Sequence, residues 1–360
     1  MFIMKSNTVL AIEPENPKEK TIFIGQDDGF YNNKVAGPNG FLMCEPSRSR
    51  HGKANVTSLD SGLKPDIAEF KVDNTFYSAG EIDSESTMFD DYPISTLNRI
   101  NVHHALYKAG LAGKNIHLAT GLPLSLFYKG KTGDKNVDFV SKKEKNLLAD
   151  VELVAASPKY GDAVKPFKIV EHVVTVENHV AWFHLMIKEG ADGKHAFDMK
   201  RKSLPFGFID MGGRTTDLLV VENGNVDRAR SSSINCGMLD VRKSIKDSIM
   251  STYGINHVSD TMLDSAIKRG KITLFNEDRR VADIVRSAKE QVISRLRNEA
   301  NLIFGQGADL HSVHMFGGSY LDYKSYIETD PWFKHQEADA NPLYVNALGM
   351  YKYIRYIKSA

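Results

Sequence analysis

Phe208-Ile-Asp-Met-Gly-Gly-Arg-Thr-Thr-Asp217 runs from an apolar stretch into one acid and then two adjacent glycines, and no other segment constrains the chain as strongly. A parallel strand covered on both faces reads as a continuous apolar run, so Pro205 to Ile209 suits the end of such a strand with Asp210 at its tip. Gly212 and Gly213 have no Cβ, so the backbone there can turn sharply and bring N–H groups close to a phosphate. Thr215 and Thr216 add hydroxyl donors. Leu218 to Val221 resume the apolar run, Asn223-Gly-Asn225 supplies a turn, and Val226 onward can return antiparallel. The unit reads strand, loop, strand, turn, strand. A carboxylate beside phosphate-binding amides repels a nucleotide unless a cation intervenes. That implies Mg²⁺, which prefers oxygen ligands and shared waters. Taken alone, the stretch reads more readily as an ordinary hairpin with an acidic tip.

The design recurs. Thr21-Ile-Phe-Ile-Gly-Gln-Asp-Asp-Gly-Phe-Tyr-Asn-Asn-Lys-Val35 has an apolar strand, an acid (Asp27), a glycine (Gly29), polar residues and a second strand. Asp27 and Asp210 are 183 positions apart (210 − 27), a spacing that suggests two similar domains, each offering a phosphate loop to a shared cleft. A third strand, Val313 to Phe316, runs into the pair Gly317-Gly318.

A chain of 360 residues exceeds a usual single core, in line with two domains. Its 46 basic and 45 acidic residues leave a net charge of +1, which offers no global field for gripping DNA or a membrane directly. A nucleic-acid role would then need an adaptor. Cys44 and Cys236 are far apart and no Cys/His spacing marks a zinc site, which suits a reducing cytoplasm. The N-terminal stretch has no apolar core of signal-peptide length, and no segment approaches eighteen apolar residues. A cytoplasmic protein without membrane contact is expected.

Residues 1–20 read as an extension, and 36–66 as turns and loops between short strands. Thr96 to Ala112 is predicted helical, with Leu97, Ile100, His104 and Leu111 near one face, followed by a strand at Ile116 to Ala119 and a turn at Gly121-Leu-Pro123. The lysine-rich run from Lys129 to Lys145 reads as a solvated loop leading into a helix, with a docking surface as the alternative. From Ala282 to Ile303, Ile284, Ala288, Val292, Leu296 and Ala300 form a packing stripe, and Lys289 and Glu290 could face a nucleotide. No histidine falls in a metal-binding spacing, and His103-His104 reads as a packed helix pair.

Val102-His-His-Ala-Leu106, Ile116-His-Leu-Ala-Thr-Gly-Leu-Pro-Leu124 with Tyr128, and Asn346-Ala-Leu-Gly-Met-Tyr351 resemble the ParM/StbA plasmid-segregation branch of the actin, Hsp70 and sugar-kinase superfamily. The likeness runs from about Ile22 to Ile354. It implies an α/β, actin-like ATPase fold: two RNase H-like domains flanking a nucleotide cleft, each with a mainly five-stranded sheet. The implied domains are 21–185 with 336–360, carrying the first phosphate loop, and 186–335, carrying the second loop and the adenosine turn. By the same resemblance Asp27, Gly29 and Asn32 match the first loop, and Asp210, Gly212, Gly213 and Thr215 the second. Gly317 and Gly318 match the turn that meets adenosine, and Asp27 and Asp210 hold Mg²⁺ through water. Glu177 aligns with the glutamate that orients the attacking water.

The sequence departs from its relatives in three places. Arg214 replaces a small residue, the adenosine turn Phe316-Gly-Gly-Ser319 lacks a third glycine, and Phe30-Tyr31 stands where smaller residues are common. The adenosine turn leaves ATP or GTP open as the cofactor beside Mg²⁺. The implied function is a filament-forming ATPase that segregates plasmid DNA, with copies of itself and a ParR-type DNA-binding adaptor on a centromere-like site as partners. The alternatives are a monomeric sugar-kinase-type phosphotransferase and a nucleotide-binding cytoskeletal scaffold.

Overall fold

The computed structural model describes residues 20–54, 65–130, 133–161, 164–189 and 194–358. Nearly all of the N-terminal extension expected over 1–20 lies outside them. The chain divides into two compact units, Met1–Arg201 with Tyr344–Ala360, and Lys202–Leu343.

The first unit contains β1 (Thr21–Asp28), β2 (Asn32–Ala36), β3 (Leu42–Pro46), β4 (Ser49–His51), β5 (Ile67–Val72), β6 (Thr75–Gly80), α1 (Thr96–Lys108), β7 (Asn115–Leu122), α2 (Leu124–Phe127), α3 (Val137–Leu148), β8 (Glu152–Ala155), β9 (Lys168–Val176), α4 (His179–Met186), β10 (Ile187–Glu189) and β11 (His195–Phe197). The second contains β12 (Phe206–Met211), β13 (Thr216–Glu222), β14 (Asn225–Ile234), α5 (Met238–Tyr253), α6 (Asp260–Arg269), β15 (Lys271–Leu274), β16 (Glu277–Arg280), α7 (Ala282–Phe304), β17 (Ser312–Phe316), α8 (Tyr320–Thr329) and β18 (Gln336–Ala338). The chain then returns to the first unit as α9 (Val345–Tyr353).

Each unit is built on a five-stranded sheet of the same plan. In the first the order is β3-β2-β1-β7-β9, and in the second β14-β13-β12-β17-β18. Three antiparallel strands come first, and the innermost pairs in parallel with a fourth, which pairs in parallel with a fifth. β1 and β12, the two strands that end in Asp27-Asp28 and Asp210-Met211, therefore sit at the centre of equivalent sheets. The repeat read from the two acids is a repeat of whole sheets.

Side chains alternate across a strand, so β1 serves two faces. Ile22 and Ile24 pack with Val102, Ala105 and Leu106 of α1 and Leu147 of α3, while Phe23 on the other face packs against Ala347 and Tyr351 of α9. Ser95 caps α1 by accepting from the Asn98 amide. The helix ends at Lys108 rather than Ala112. Ten of its 13 residues are buried, so it is enclosed all round rather than along one stripe. In α7 the buried stripe is Val285, Ala288, Val292, Leu296 and Ala300, so Val285 takes the place expected of Ile284. Lys289 bonds Asp322 of α8 at 3.2 Å, which anchors α7 to α8.

His103 and His172 are buried, and burial lowers each imidazole pKa from 6.5 to about 3. His172 shares a hydrogen bond with the Thr120 hydroxyl at 2.9 Å. Between the two pKa values the unfolded chain binds the proton and the folded chain does not, so stability falls as pH falls below about 6.5. By pH 5 each histidine should cost on the order of 2 kcal/mol. Urea unfolding at pH 7 and pH 5 measures this, and His172→Gln should remove its share of the loss. A pH dependence unchanged by that substitution would contradict the assignment.

Candidate functional site

The first loop, Gly29 to Tyr31, joins β1 to β2. Its three carbonyls turn into the protein: Gly29 accepts from the Ser47 hydroxyl (2.7 Å), Phe30 from the Thr87 hydroxyl (2.6 Å) and Tyr31 from the Ser47 amide (2.9 Å). In a trans peptide the C=O of one residue and the N–H of the next point opposite ways. The amides of Phe30, Tyr31 and Asn32 are therefore aimed away from these anchors. Phe30 does not cover the loop, because its buried ring lies 5.2 Å from that of Tyr92.

The neighbouring acids at the end of β1 do different things. Asp27 lies opposite Lys34 in the β1–β2 register, and Lys34 Nζ bonds its Oδ2 at 2.9 Å with both groups buried. Asp28 points to the other face, where Lys143 Nζ of α3 is 2.7 Å from Oδ2 and Asn98 Nδ2 of α1 is 2.9 Å away. Burial pushes the Asp28 carboxyl up, and Lys143 and Asn98 oppose the shift. Lys143 is itself 1% exposed, so the lysine-rich run is not solvated throughout: one of its lysines is a core residue that holds α3 to β1.

The second loop, Gly212 to Thr215, joins β12 to β13 and is closed by the Gly212 amide donating to the Thr215 carbonyl (2.9 Å). The Gly212 carbonyl accepts from the Ser319 hydroxyl (2.8 Å) and the Met238 amide (3.3 Å), and the Gly213 carbonyl accepts from the Leu239 amide (2.7 Å). The first amides of α5 thus hold the loop from behind, and the amides of Gly213 and Arg214 point the other way. The threonine hydroxyls are engaged inside the loop: Thr215 donates to Asp217 (3.2 Å) and Thr216 to the Cys236 carbonyl (2.9 Å).

Asp210 is buried at the end of β12, beside the glycine turn that follows β17. Gly317 has φ 108, and a Cβ there would stand 2.2 Å from Asp210 Oδ1 and 2.6 Å from the Met211 amide nitrogen. Only glycine meets both demands. The Ser319 amide donates to Met211 O (2.8 Å), so the turn through Gly317 and Gly318 is tied to the second loop.

Glu177 follows β9 directly. Its amide donates to Leu122 O (3.0 Å), and its carbonyl accepts from His179 at the start of α4 (2.7 Å). Gly121 leaves the space its side chain uses, since a Cβ there would fall 2.6 Å from Glu177 Cγ. Asn178, at φ 64, is fixed by its amide donating to Asn346 Oδ1 of α9 (3.0 Å).

The structure thus groups Asp27, Gly29 and Asn32 around one hairpin, and Asp210, Gly212, Gly213, Thr215, Gly317 and Gly318 around another end of strands, within separate units. Glu177 lies in the first unit at the end of a different strand of the same sheet as Asp27. Sequence reasoning did not single out Lys34, although its position mirrors Asp27 across a short hairpin and a cross-strand ion pair is the expected partner there. Ser47, Thr87 and Ser319, which orient the loop carbonyls, carry no local signal. Asp27 and Asp210 each end a buried strand of their own unit, and a carboxylate oxygen is the kind of ligand that Mg²⁺ takes. Among the described residues no helix is long and apolar enough to cross a membrane.

Residues 51–177 match the family model described as "Plasmid segregation protein ParM, N-terminal", and residues 208–321 the one described as "Archaeal actin homologue MreB-like, C-terminal". No curated protein matches the chain in sequence. Among solved structures, a 15-stranded ParM filament from Clostridium botulinum is 17% identical with a TM-score of 0.70, over 93% of this chain and 99% of that one. An archaeal actin homolog is 18% identical with a TM-score of 0.67, over 92% of this chain and 98% of that one. The same homolog in complex with ADP is 18% identical with a TM-score of 0.65, over 91% and 97%. The fold is actin-like.

Proposed function

We propose that this actin-like chain, ParM-like in its N-terminal region and MreB-like in its C-terminal region, is an ATPase that assembles into filaments and uses them to segregate plasmid DNA. The observation that carries the reading is the pair of equivalent loops, each with its carbonyls anchored inward and its amides presented on the opposite side. Two such amide rows, each beside a buried carboxylate, suit the phosphates of a nucleotide accompanied by a cation.

In this reading Gly29 to Asn32 and Gly212 to Thr215 bind the phosphates, and the turn at Gly317 and Gly318 meets the nucleoside of ATP, with GTP as the alternative. Asp27 and Asp210 would hold Mg²⁺ through water, and the ion would neutralise charge on the phosphate oxygens. Lys34 keeps Asp27 in place and adds a positive charge beside the first loop. Glu177 orients the water that attacks. Assembly follows ATP binding and turnover follows hydrolysis, with a ParR-type adaptor linking the polymer to a centromere-like DNA site in the cytoplasm. The ParM filament and the ADP-bound archaeal homolog support assembly and nucleotide binding by analogy.

Asp210→Ala is the direct test of the site. The loops keep their amides, so the loss should appear in the Mg²⁺-dependent part of the affinity, on the order of 10–100-fold. Calorimetry with ATP, with and without Mg²⁺, reads it. Equal affinity of mutant and parent in Mg²⁺ would remove Asp210 from the site.

A further inference from the structure

β15 and β16 form a hairpin whose turn residues, Phe275 and Asn276, have φ of 51 and 63. Two positive φ values make the primed turn that short hairpins favour, and asparagine suits it. A bulky aromatic in that region is an outlier, and such outliers persist where a function retains them. Ile272 and Leu274 of the same hairpin are buried, yet Phe275 is 84% exposed, the most exposed large apolar side chain among the described residues. A turn that needed only its geometry would be better served by glycine.

The same unit holds a groove of about 500 Å³ between α7 and α8, lined by Ile293, Tyr326 and Trp332 with Glu290 and Arg297 at its polar side. The exposure of Phe275 means that its own chain does not fill the groove with it. The charges of the two features are complementary. On the hairpin Lys271 pairs with Asp278 and Arg279 with Glu277, which leaves Arg280 with no ion-pair partner among the described residues. At the groove Arg297 pairs with Asp330, which leaves Glu290. Among the described residues the hairpin thus carries one unpaired cation, at the strand end away from Phe275, and the aromatic-lined groove carries one unpaired anion.

We infer that the Phe275 hairpin of one copy docks into the α7–α8 groove of a second copy, with Arg280 set against Glu290. Knob and groove are different patches of one surface, so the contact is head-to-tail, and unless the rotation closes a ring it propagates as an open polymer. A buried aromatic anchor ringed by polar contacts is the arrangement that dominates interface energies. The inference rests on the filament reading and names the surfaces it would use.

The test is the critical concentration for ATP-dependent assembly, measured by sedimentation. Phe275→Gly relieves the positive φ, so thermal stability should hold or rise, while the critical concentration should increase about tenfold or more. Arg280→Glu and Glu290→Arg should each raise it, and the two together should bring it back toward the parent value, a rescue that a purely structural role would not give. Unchanged assembly in Phe275→Gly, or no rescue in the paired variant, overturns the contact and leaves the filament reading standing. So does normal assembly of Glu290→Arg with loss of binding to another protein, which would assign the groove to that protein. A parent chain that never sediments with ATP overturns both.

Discussion

Lys143→Ala is expected to destabilise the protein by about 3–5 kcal/mol, the usual cost of stripping one partner from a buried ion pair. The Lys143 ammonium is 2.7 Å from Asp28, and the two side chains are 1% and 0% exposed. Removing the lysine leaves a carboxylate in the core whose pKa burial already raises. Protonating Asp28 would recover part of the loss, so the mutant should regain stability relative to the parent as pH falls. Asp28→Asn combined with Lys143→Met should be far less damaging than Lys143→Ala, because a neutral amide with an apolar neighbour strands no charge. Denaturant unfolding of all three variants decides it. A loss below about 1 kcal/mol for Lys143→Ala would place the pair among surface-type bridges.

Glu177→Ala is expected to lower ATP hydrolysis by on the order of 10²–10⁴, the range for losing one general-base or water-positioning group. Asp27, Asp210 and both loops remain, so nucleotide binding and ATP-triggered assembly should persist and filaments should outlast those of the parent. Glu177 sits on rigid support: its backbone is bonded to Leu122 and His179, and its side chain lies over Gly121. Phosphate release measured on the mutant at the parent rate would remove Glu177 from the chemistry. Loss of ATP binding would make its role structural.

The central strands were legible because each couples an apolar run to an acid and a glycine within ten residues, a pattern whose cause is local. Asp27 and Asp210 sit where that pattern puts them, at the ends of equivalent strands. The supports of the loops were not legible. Ser47 reaches Gly29 across 18 positions, Thr87 reaches Phe30 across 57 and Ser319 reaches Gly212 across 107, and a serine or threonine in a loop gives no hint of so distant a carbonyl. Asp28 and Lys143 are 115 positions apart, and a lysine amid other lysines reads as surface until the fold encloses it. The expected Ile284 stripe failed by one residue for a simpler reason: a helix start offers two adjacent apolar side chains, and packing rather than periodicity chooses Val285.

Light scattering of the purified chain after adding Mg²⁺·ATP, with phosphate release followed in the same sample, tests the central claim most directly. The account predicts that scattering rises on ATP addition without any other substrate, precedes phosphate release and declines as ATP is spent. ADP formation that requires an added sugar, with scattering flat throughout, would contradict it and identify a phosphotransferase instead.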